Sequence, residues 1–295
     1  MEPRILSGKV LSGEIEQELR RDAAALTAGG TPPCLAVILL GDNPASHTYV
    51  RNKIKAAERV GIASRDRFMP ATTSQAELEA EISALNADPA VHGILCQMPL
   101  PEGLNAERVT RLIDPAKDVD CFHPFNVGLL AMGIPRFYPC TPAGVLELMS
   151  RNGIEVSGQH VVILGRSNIT GRPLSLLLSH KGTDATVTVC HSRTRELATL
   201  TRQADILVAA TGIPQWVTGE MVKEGAVVID VGINRIDDAS RKQGYRLVGD
   251  VDYATVAPKT TAITPVPGGV GPMTITMLLR NTIQAARMAG DSSAI

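Results

Sequence analysis

Short runs of aliphatic residues alternate along the chain with longer stretches in which apolar positions recur every three or four residues. The first pattern reads as strand buried on both faces, the second as helix with one face turned to a core. Cys34–Leu40, Val91–Cys96, His160–Leu164, Ala185–Val189, Asp205–Val208 and Ala226–Val231 follow the first, with weaker candidates at Arg67–Met69, Arg246–Val248 and Ala262–Ile263. Helical spacing covers Ser12–Ala28, a segment from Ala45 or Ser46 to Val60, Ser74–Asn86, Asn105–Ile113, Ala143–Asn152 and Met273–Met288. Gly61 is a natural C-terminal stop for the second of these helices. Such alternation builds parallel sheets covered by helices. Pro139-Cys140-Thr141-Pro142 punctuates the chain before a helix that bridges two blocks of this kind. The expected fold is therefore α/β in two domains: residues 1–140 with the closing helix 273–295 returning to them, and residues 141–272.

The second block carries the clearest local signal. His160-Val161-Val162-Ile163-Leu164 ends at Gly165, crosses the polar loop Arg166-Ser167-Asn168-Ile169-Thr170 and enters a helix at Gly171-Arg172-Pro173. Proline suits a first helical turn, where its missing N–H would have had no partner. A strand–loop–helix junction aims backbone N–H groups and the positive helix end at one spot, which favours a phosphate. Gly165 and Gly171 stand where the outer glycines of a dinucleotide fingerprint belong, but Ser167 replaces the middle one and the loop is one residue longer. A looser approach of backbone to pyrophosphate, helped by the Ser167 hydroxyl, is expected. The next strand ends in Cys190-His191-Ser192-Arg193, with no carboxylate after it and Asp184 ahead of it. A carboxylate at that strand end would hold a ribose 2′-hydroxyl; Ser192 and Arg193, with Arg166, suit a 2′-phosphate instead. This favours NADP. The alternative leaves Arg193 as a solvated residue at a helix start.

In the first block, the helix Tyr49–Val60 places Tyr49, Lys53, Ala56, Ala57 and Val60 on one stripe, with Arg51, Lys55, Glu58 and Arg59 opposite. A lysine on an apolar stripe either snorkels to the helix edge or lines a cleft, where desolvation lowers its pKa and fits it for proton transfer. Gln97 follows Ile94-Leu95-Cys96, at the carboxyl end of a predicted parallel strand, where open α/β sheets bind ligands. Asp120 sits in the loop Lys117-Asp118-Val119-Asp120-Cys121, and its plainer reading is a turn residue paired with Lys117. Thr264-Pro265-Val266-Pro267-Gly268-Gly269-Val270-Gly271-Pro272 is too rigid and glycine-rich for a generic connection.

Composition narrows the partners. The 29 Lys and Arg residues balance 30 Asp and Glu, which argues against nucleic acid or an anionic membrane. No apolar segment approaches a membrane span, and the first residues lack a signal-peptide core. Five cysteines without a CxxC spacing read as free thiols of a reducing, cytoplasmic compartment. Six scattered histidines show no metal-ligand spacing, so no metal is expected.

Tyr49-Val50-Arg51-Asn52-Lys53, Val91 through Pro101, Lys117-Asp118-Val119-Asp120, Gly165-Arg166-Ser167, Cys190-His191-Ser192, Asp230-Val231-Gly232-Ile233-Asn234 and Pro265 through Thr274 occur in this order. Over nearly its whole length the chain closely resembles the bifunctional methylenetetrahydrofolate dehydrogenase/methenyltetrahydrofolate cyclohydrolases. The resemblance implies two α/β domains flanking a cleft, with a folate in the first and NADP in a Rossmann-like second, commonly in homodimers. It implies oxidation of 5,10-methylenetetrahydrofolate with NADP, then hydration to 10-formyltetrahydrofolate. By the same resemblance Lys53 is the catalytic lysine and Gln97 its partner, Tyr49 stacks on the substrate and Asp120 binds the pterin's amino-pyrimidine edge. Arg166, Ser167 and Ser192 match cofactor-phosphate contacts, Ile233 and Thr274 lie near the nicotinamide end, and Pro267, Gly268 and Gly269 belong to a loop that closes on the folate. One departure stands out: Cys121 occupies a place where the family usually has glycine. A glycine needed for φ > 0 makes a cysteine there strained, or shifts the loop, or turns a side chain toward the pterin pocket. A dehydrogenase with weakened cyclohydrolase, and an NADP-dependent dehydrogenase of another small substrate, remain as alternatives.

Overall fold

The computed structural model describes residues 2–241 and 244–290. The chain divides into two compact units, one made of Met1–Ser12 with Thr141–Thr274 and the other of Gly13–Cys140 with Ile275–Ile295. The first twelve residues thus part from the 1–140 block expected from the sequence. The reason is a strand, β1 (Arg4–Ile5), that pairs in parallel with residues 262–263 and so joins the unit of Thr141–Thr274 before the chain enters helix α1 (Gly8–Ala28).

The unit of Gly13–Cys140 contains β2 (Cys34–Leu40), α2 (Pro44–Val60), β3 (Ala63–Met69), α3 (Gln75–Ala87), β4 (Gly93–Cys96), α4 (Ala106–Leu112) and α5 (Pro124–Ala131). β2 is central in a parallel sheet of order β3-β2-β4, and all seven of its residues are buried. That position explains its unbroken apolar sequence. α2 starts at Pro44, with Asn43 Oδ1 accepting from the N–H groups of Ala45 and Ser46, and stops at Gly61 at φ +86°. α3 begins with a reciprocal capping box between Ser74 and Glu77. Its Leu78, Ile82 and Leu85 pack on Ala36, Ile38 and Ile94 of the sheet.

β3 runs the full length of its neighbour although only its last three residues were predicted. It is an edge strand, and Arg65 and Arg67 on it pair with Asp88 and Glu81. Charge of this kind blunts an edge against further pairing and erases the apolar signature of a strand. α5 was not predicted at all. It is a single eight-residue segment opened by Pro124 and by His123, whose ring accepts from the Phe125 N–H.

The other unit holds α6 (Cys140–Arg151), β5 (His160–Leu164), α7 (Gly171–Ser179), β6 (Thr186–Cys190), α8 (Leu197–Thr201), β7 (Ile206–Ala209), β8 (Ala226–Asp230), β9 (Asn234–Asp237), β10 (Tyr245–Val248), α9 (Tyr253–Val256), β11 (Thr260–Ile263) and the start of α10 (Val270–Gly290). Its six-stranded sheet has the order β1-β11-β8-β7-β5-β6 and is parallel throughout. The core comprises Val162, Leu164, Leu207, Val228 and Ile263, each at most 1% exposed. β10 lies outside this sheet and pairs antiparallel with β9. After β5 the chain lays β6 on one side, then returns to lay β7 on the other. That reversal puts a ligand crevice at the carboxyl ends of β5 and β7.

Candidate active site

Lys53 stands within the buried stripe of α2, between Ser46 and Val50 on one side and Ala57 and Val60 on the other. Tyr49 lies at the margin of that stripe, 41% exposed, and partial burial raises the pKa of its hydroxyl. The next residue after β4, Gln97, donates its backbone N–H to Ile38 O at 2.9 Å, which holds it beside the end of β2. Its Nε2 donates to Met98 O at 2.6 Å. The amide is thereby oriented with Oε1 free to accept, and Lys53 Nζ donates to that oxygen at 3.1 Å. An ammonium carries three N–H donors, so two are left for a ligand. No carboxylate ion-pairs with Lys53 among the described residues. The structure therefore brings Lys53 and Gln97 together 44 residues apart in sequence.

The loop that carries Asp120 is fixed by its neighbours. Lys117 does not pair with Asp120: its Nζ donates to the carbonyls of Leu85, Asn86 and Asp88 at 2.7–3.1 Å, at the end of α3. Asp118 is buried and accepts from the N–H groups of Phe122 and His123 and from Asn126 Nδ2. Burial nevertheless keeps its pKa above the ordinary value. Cys121 adopts φ +62°, the conformation expected from a glycine-favouring position. Its side chain turns inward, 1% exposed, with Sγ donating to Phe137 O at 3.3 Å, so it does not project as a free group toward a ligand. Asp120 itself is half-buried. Burial, then the charge of Asp120, push the Cys96 thiol up to about 12. The Cys140 thiol is raised by burial and Asp120, with Lys53 acting in the opposite sense, so the lysine and the carboxylate share one neighbourhood.

In the second unit Gly165, at φ +122°, closes β5 so tightly that a Cβ there would come within 2.2 Å of Ala210 O. A Cβ on Gly171 would meet Gly165 O at 2.0 Å, so α7 starts directly against the strand end. The Ser167 Oγ accepts from the Thr170 N–H at 3.2 Å and shapes the loop, while Arg166 and Ser167 stay exposed. Thr170 makes no side-chain cap, and the first turn of α7 is tied to the loop by the Arg172 N–H on Ser167 O at 3.1 Å. Gly165 N donates to Cys190 O at 2.9 Å, which sets the loop after β6 alongside. There His191 Nδ1 accepts from Arg193 N, and the side chains of Ser192 and Arg193 are exposed. A cradle made of backbone without Cβ groups, flanked by two arginines, fits a dinucleotide with an extra phosphate.

Ile233 and the proline–glycine segment also converge: a Cβ on Gly271 would lie 3.1 Å from Ile233 Cδ1. Gly268 has φ +105° and its carbonyl accepts from Lys9 N; Gly269 is buried and Pro267 exposed. Thr274 Oγ1 lies 3.1 Å from Thr141 Oγ1. Among the described residues, no group of three or more His, Cys, Asp or Glu is placed to hold a metal ion, and no helix is long and apolar enough to cross a membrane.

Two family models match the chain, "Tetrahydrofolate dehydrogenase/cyclohydrolase, catalytic domain" over residues 6–120 and "Tetrahydrofolate dehydrogenase/cyclohydrolase, NAD(P)-binding domain" over residues 139–290. The chain belongs to the tetrahydrofolate dehydrogenase/cyclohydrolase family. The bifunctional protein FolD of Rhodopirellula baltica is 52% identical, covering 98% of each chain, and FolD 1 of Myxococcus xanthus is 54% identical, covering 96% of this chain and 98% of its own. Among solved structures, FolD from Campylobacter jejuni is 48% identical with a TM-score of 0.91, covering 96% of this chain and 98% of that one. The Trypanosoma brucei enzyme, solved with NADP cofactor and an inhibitor, is 41% identical with a TM-score of 0.94, covering 99% and 100%.

Family membership bears out the resemblance read from the motifs and sets aside a dehydrogenase of another small substrate. Sequence reasoning missed the residues that hold this family's Asp-bearing loop in place. Asp118, Asn126, Cys140 and Asn281 lie too far apart in the chain for spacing to link them; only an asparagine amid the apolar positions of the closing helix hinted at a buried polar contact.

Proposed function

We propose that this protein oxidises 5,10-methylenetetrahydrofolate to the 5,10-methenyl form with NADP and hydrolyses that product to 10-formyltetrahydrofolate. The observation that carries the reading is the Lys53–Gln97 pair at 3.1 Å on a buried helix stripe, in a chain of this family. When bound, NADP accepts the hydride that leaves the one-carbon bridge. For the first step the chain's task is alignment. Tyr49 supplies an aromatic face for the substrate and Asp120 accepts from the pterin's amino-pyrimidine edge. Pro267, Gly268 and Gly269 close on the folate. Gly165, Arg166, Ser167, Ser192 and Arg193 hold the cofactor phosphates, with Ile233 and Thr274 near the nicotinamide end.

The second step adds water to the bridge carbon of the methenyl cation. The water must lose a proton, and the ring nitrogen must gain one as its bond to that carbon breaks and the formyl C=O forms; the remaining hydroxyl proton leaves to solvent. Lys53 serves both transfers as the neutral amine, once its ammonium proton has left to solvent: it takes the first proton and returns it to the ring nitrogen, while Gln97 keeps Nζ in register. The test is spectrophotometry of the purified protein with methylenetetrahydrofolate and each nicotinamide cofactor, followed by assay of methenyl and formyl products. Absorbance from NADPH, with NAD a poor substitute, and formyl product without lasting methenyl accumulation are expected. Methenyl accumulation would instead mark a dehydrogenase that has lost hydration.

We further propose a homodimer joined through the nucleotide unit, in a reducing cytoplasmic setting that suits five free thiols, all buried. Support for the dimer lies in β6, an uncharged edge strand whose Val189 is 36% exposed.

A further inference from the structure

Asn281 belongs to α10 and is 6% exposed. Its Nδ2 donates to Val119 O at 2.7 Å and to Tyr138 O at 2.8 Å, and lies 3.8 Å from Cys140 Sγ. Cys140 Sγ donates to the same Val119 O at 3.3 Å. An amide nitrogen has two N–H donors, and both are directed at carbonyls. One of those carbonyls belongs to the residue immediately before Asp120. On the other side of Asp120, Cys121 is held at φ +62° with its thiol on Phe137 O.

A buried amide costs free energy unless it is hydrogen-bonded, and an apolar residue of similar volume would fill the same space. The polar group here is directed at the peptide that orients one carboxylate. The Lys117 anchor acts at the start of the loop, on the end of α3, whereas the Val119 carbonyl itself is held by Asn281 and Cys140.

We infer that Asn281 is a positioning residue for substrate binding, holding the Val119–Asp120 peptide so that the Asp120 carboxylate faces the pterin edge. The inference rests on the proposed substrate role of Asp120. It assigns the buried face of the closing helix a part in folate recognition without contact with the folate.

The experiment is a double-mutant cycle on the full chain with Asn281→Ser and Asp120→Asn, measuring KM for methylenetetrahydrofolate, kcat, and the Kd for NADP by calorimetry. Asn281→Ser is expected to raise KM about tenfold with kcat within about twofold, and to leave the NADP Kd unchanged. In the Asp120→Asn background the same change should add less than about twofold, because the residue it orients has gone. An equal rise in both backgrounds, or an unmoved KM, overturns the inference. An unmoved KM in Asp120→Asn alone overturns the substrate role of Asp120, and the positioning role with it. Should Asn281→Ser not fold, Cys140→Ala removes the thiol's bond to the same carbonyl. It should raise KM about two- to threefold with the same dependence on Asp120, and an equal rise in both backgrounds would again overturn the claim.

Discussion

A lysine between Val50 and Ala57 on the inner face of a helix is a costly place for a positive charge unless something nearby uses it. Here the compensation is one neutral amide at 3.1 Å. Replacing Lys53 by Met keeps the stem's packing and removes the amine proposed to shuttle protons. Hydration of methenyl substrate by Lys53→Met is expected to fall by about 10²-fold or more, the usual contribution of a positioned acid–base group, while NADP binding by calorimetry stays unchanged. Undiminished hydration would remove Lys53 from the chemistry. Arg193 makes a separate prediction at the same scale. It is exposed beside the Gly165–Ser167 loop, so Arg193→Glu replaces an attraction for a 2′-phosphate by a repulsion. Its NADP affinity should fall by at least about tenfold while that for NAD changes little; equal losses for both would show that Arg193 does not read that phosphate. These residues were legible in sequence because a charge on an apolar stripe, or a missing carboxylate at a strand end, violates a simple pattern. Cys121 was half legible: its positive φ followed from its place after Asp120, but the turn of its thiol toward Phe137 depended on a segment sixteen residues on.

At the scale of elements, the strand–loop–helix units were plain wherever a strand was central, as with His160–Leu164, whose ends agree with β5. The failures were β3, α5, α8, α9 and β9, an edge strand carrying charge, three short helices and a polar hairpin strand, none of which buries a continuous apolar face. The carboxyl end of β8 carries a feature the pattern did not show at all. Asp230 is buried and accepts from the N–H groups of Gly232, Asp250 and Val251, while Asp250 accepts from those of Thr211 and Gly212 and from Asn234 Nδ2. These two carboxylates stitch the loops after β7 and β8 together. A Cβ on Gly249 would come within 1.8 Å of Asp230 Oδ2, and one on Gly232 within 2.1 Å of Asp250 Oδ1, so glycine is obligatory at both.

Burial outweighs the three hydrogen bonds and pushes Asp230 up to about 6 from 3.8. A carboxyl whose pKa is higher in the folded chain favours folding fully below its unfolded pKa, and that contribution disappears as pH rises through the folded value. Between pH 4 and pH 7 the loss amounts to roughly 3 kcal/mol at most. Asp230→Asn lacks this titration, so the stability difference between wild type and variant, followed by urea unfolding, should shift against the wild type over that window. A difference that does not change with pH would show that Asp230 does not titrate there.

At the scale of the molecule, periodicity alone pointed to two parallel α/β blocks. It could not yield the transfer of β1 to the nucleotide unit, because two residues carry no periodicity and their partner, β11, lies more than 250 residues away. The edges of the sheets bear on assembly. β3 is guarded by Arg65, Asp66 and Arg67; β1 is two residues long, and β4 is four residues long and fully buried. β6, by contrast, presents Thr186-Val187-Thr188-Val189-Cys190, five residues without charge or proline. An uncharged edge of that length offers unpaired backbone donors and acceptors to another chain, and a second copy satisfies them with a two-fold interface of identical patches. Sedimentation equilibrium is expected to give a dimer for the wild type. Val189→Lys places a charge on the strand at a half-exposed position and should weaken the dimer by at least about tenfold, as edge lysines do elsewhere, leaving the unfolding midpoint of the isolated subunit little changed. A wild-type monomer, or a Val189→Lys protein that dimerises as tightly as before, would mean that this edge is protected by some other means and that assembly, if any, uses another face.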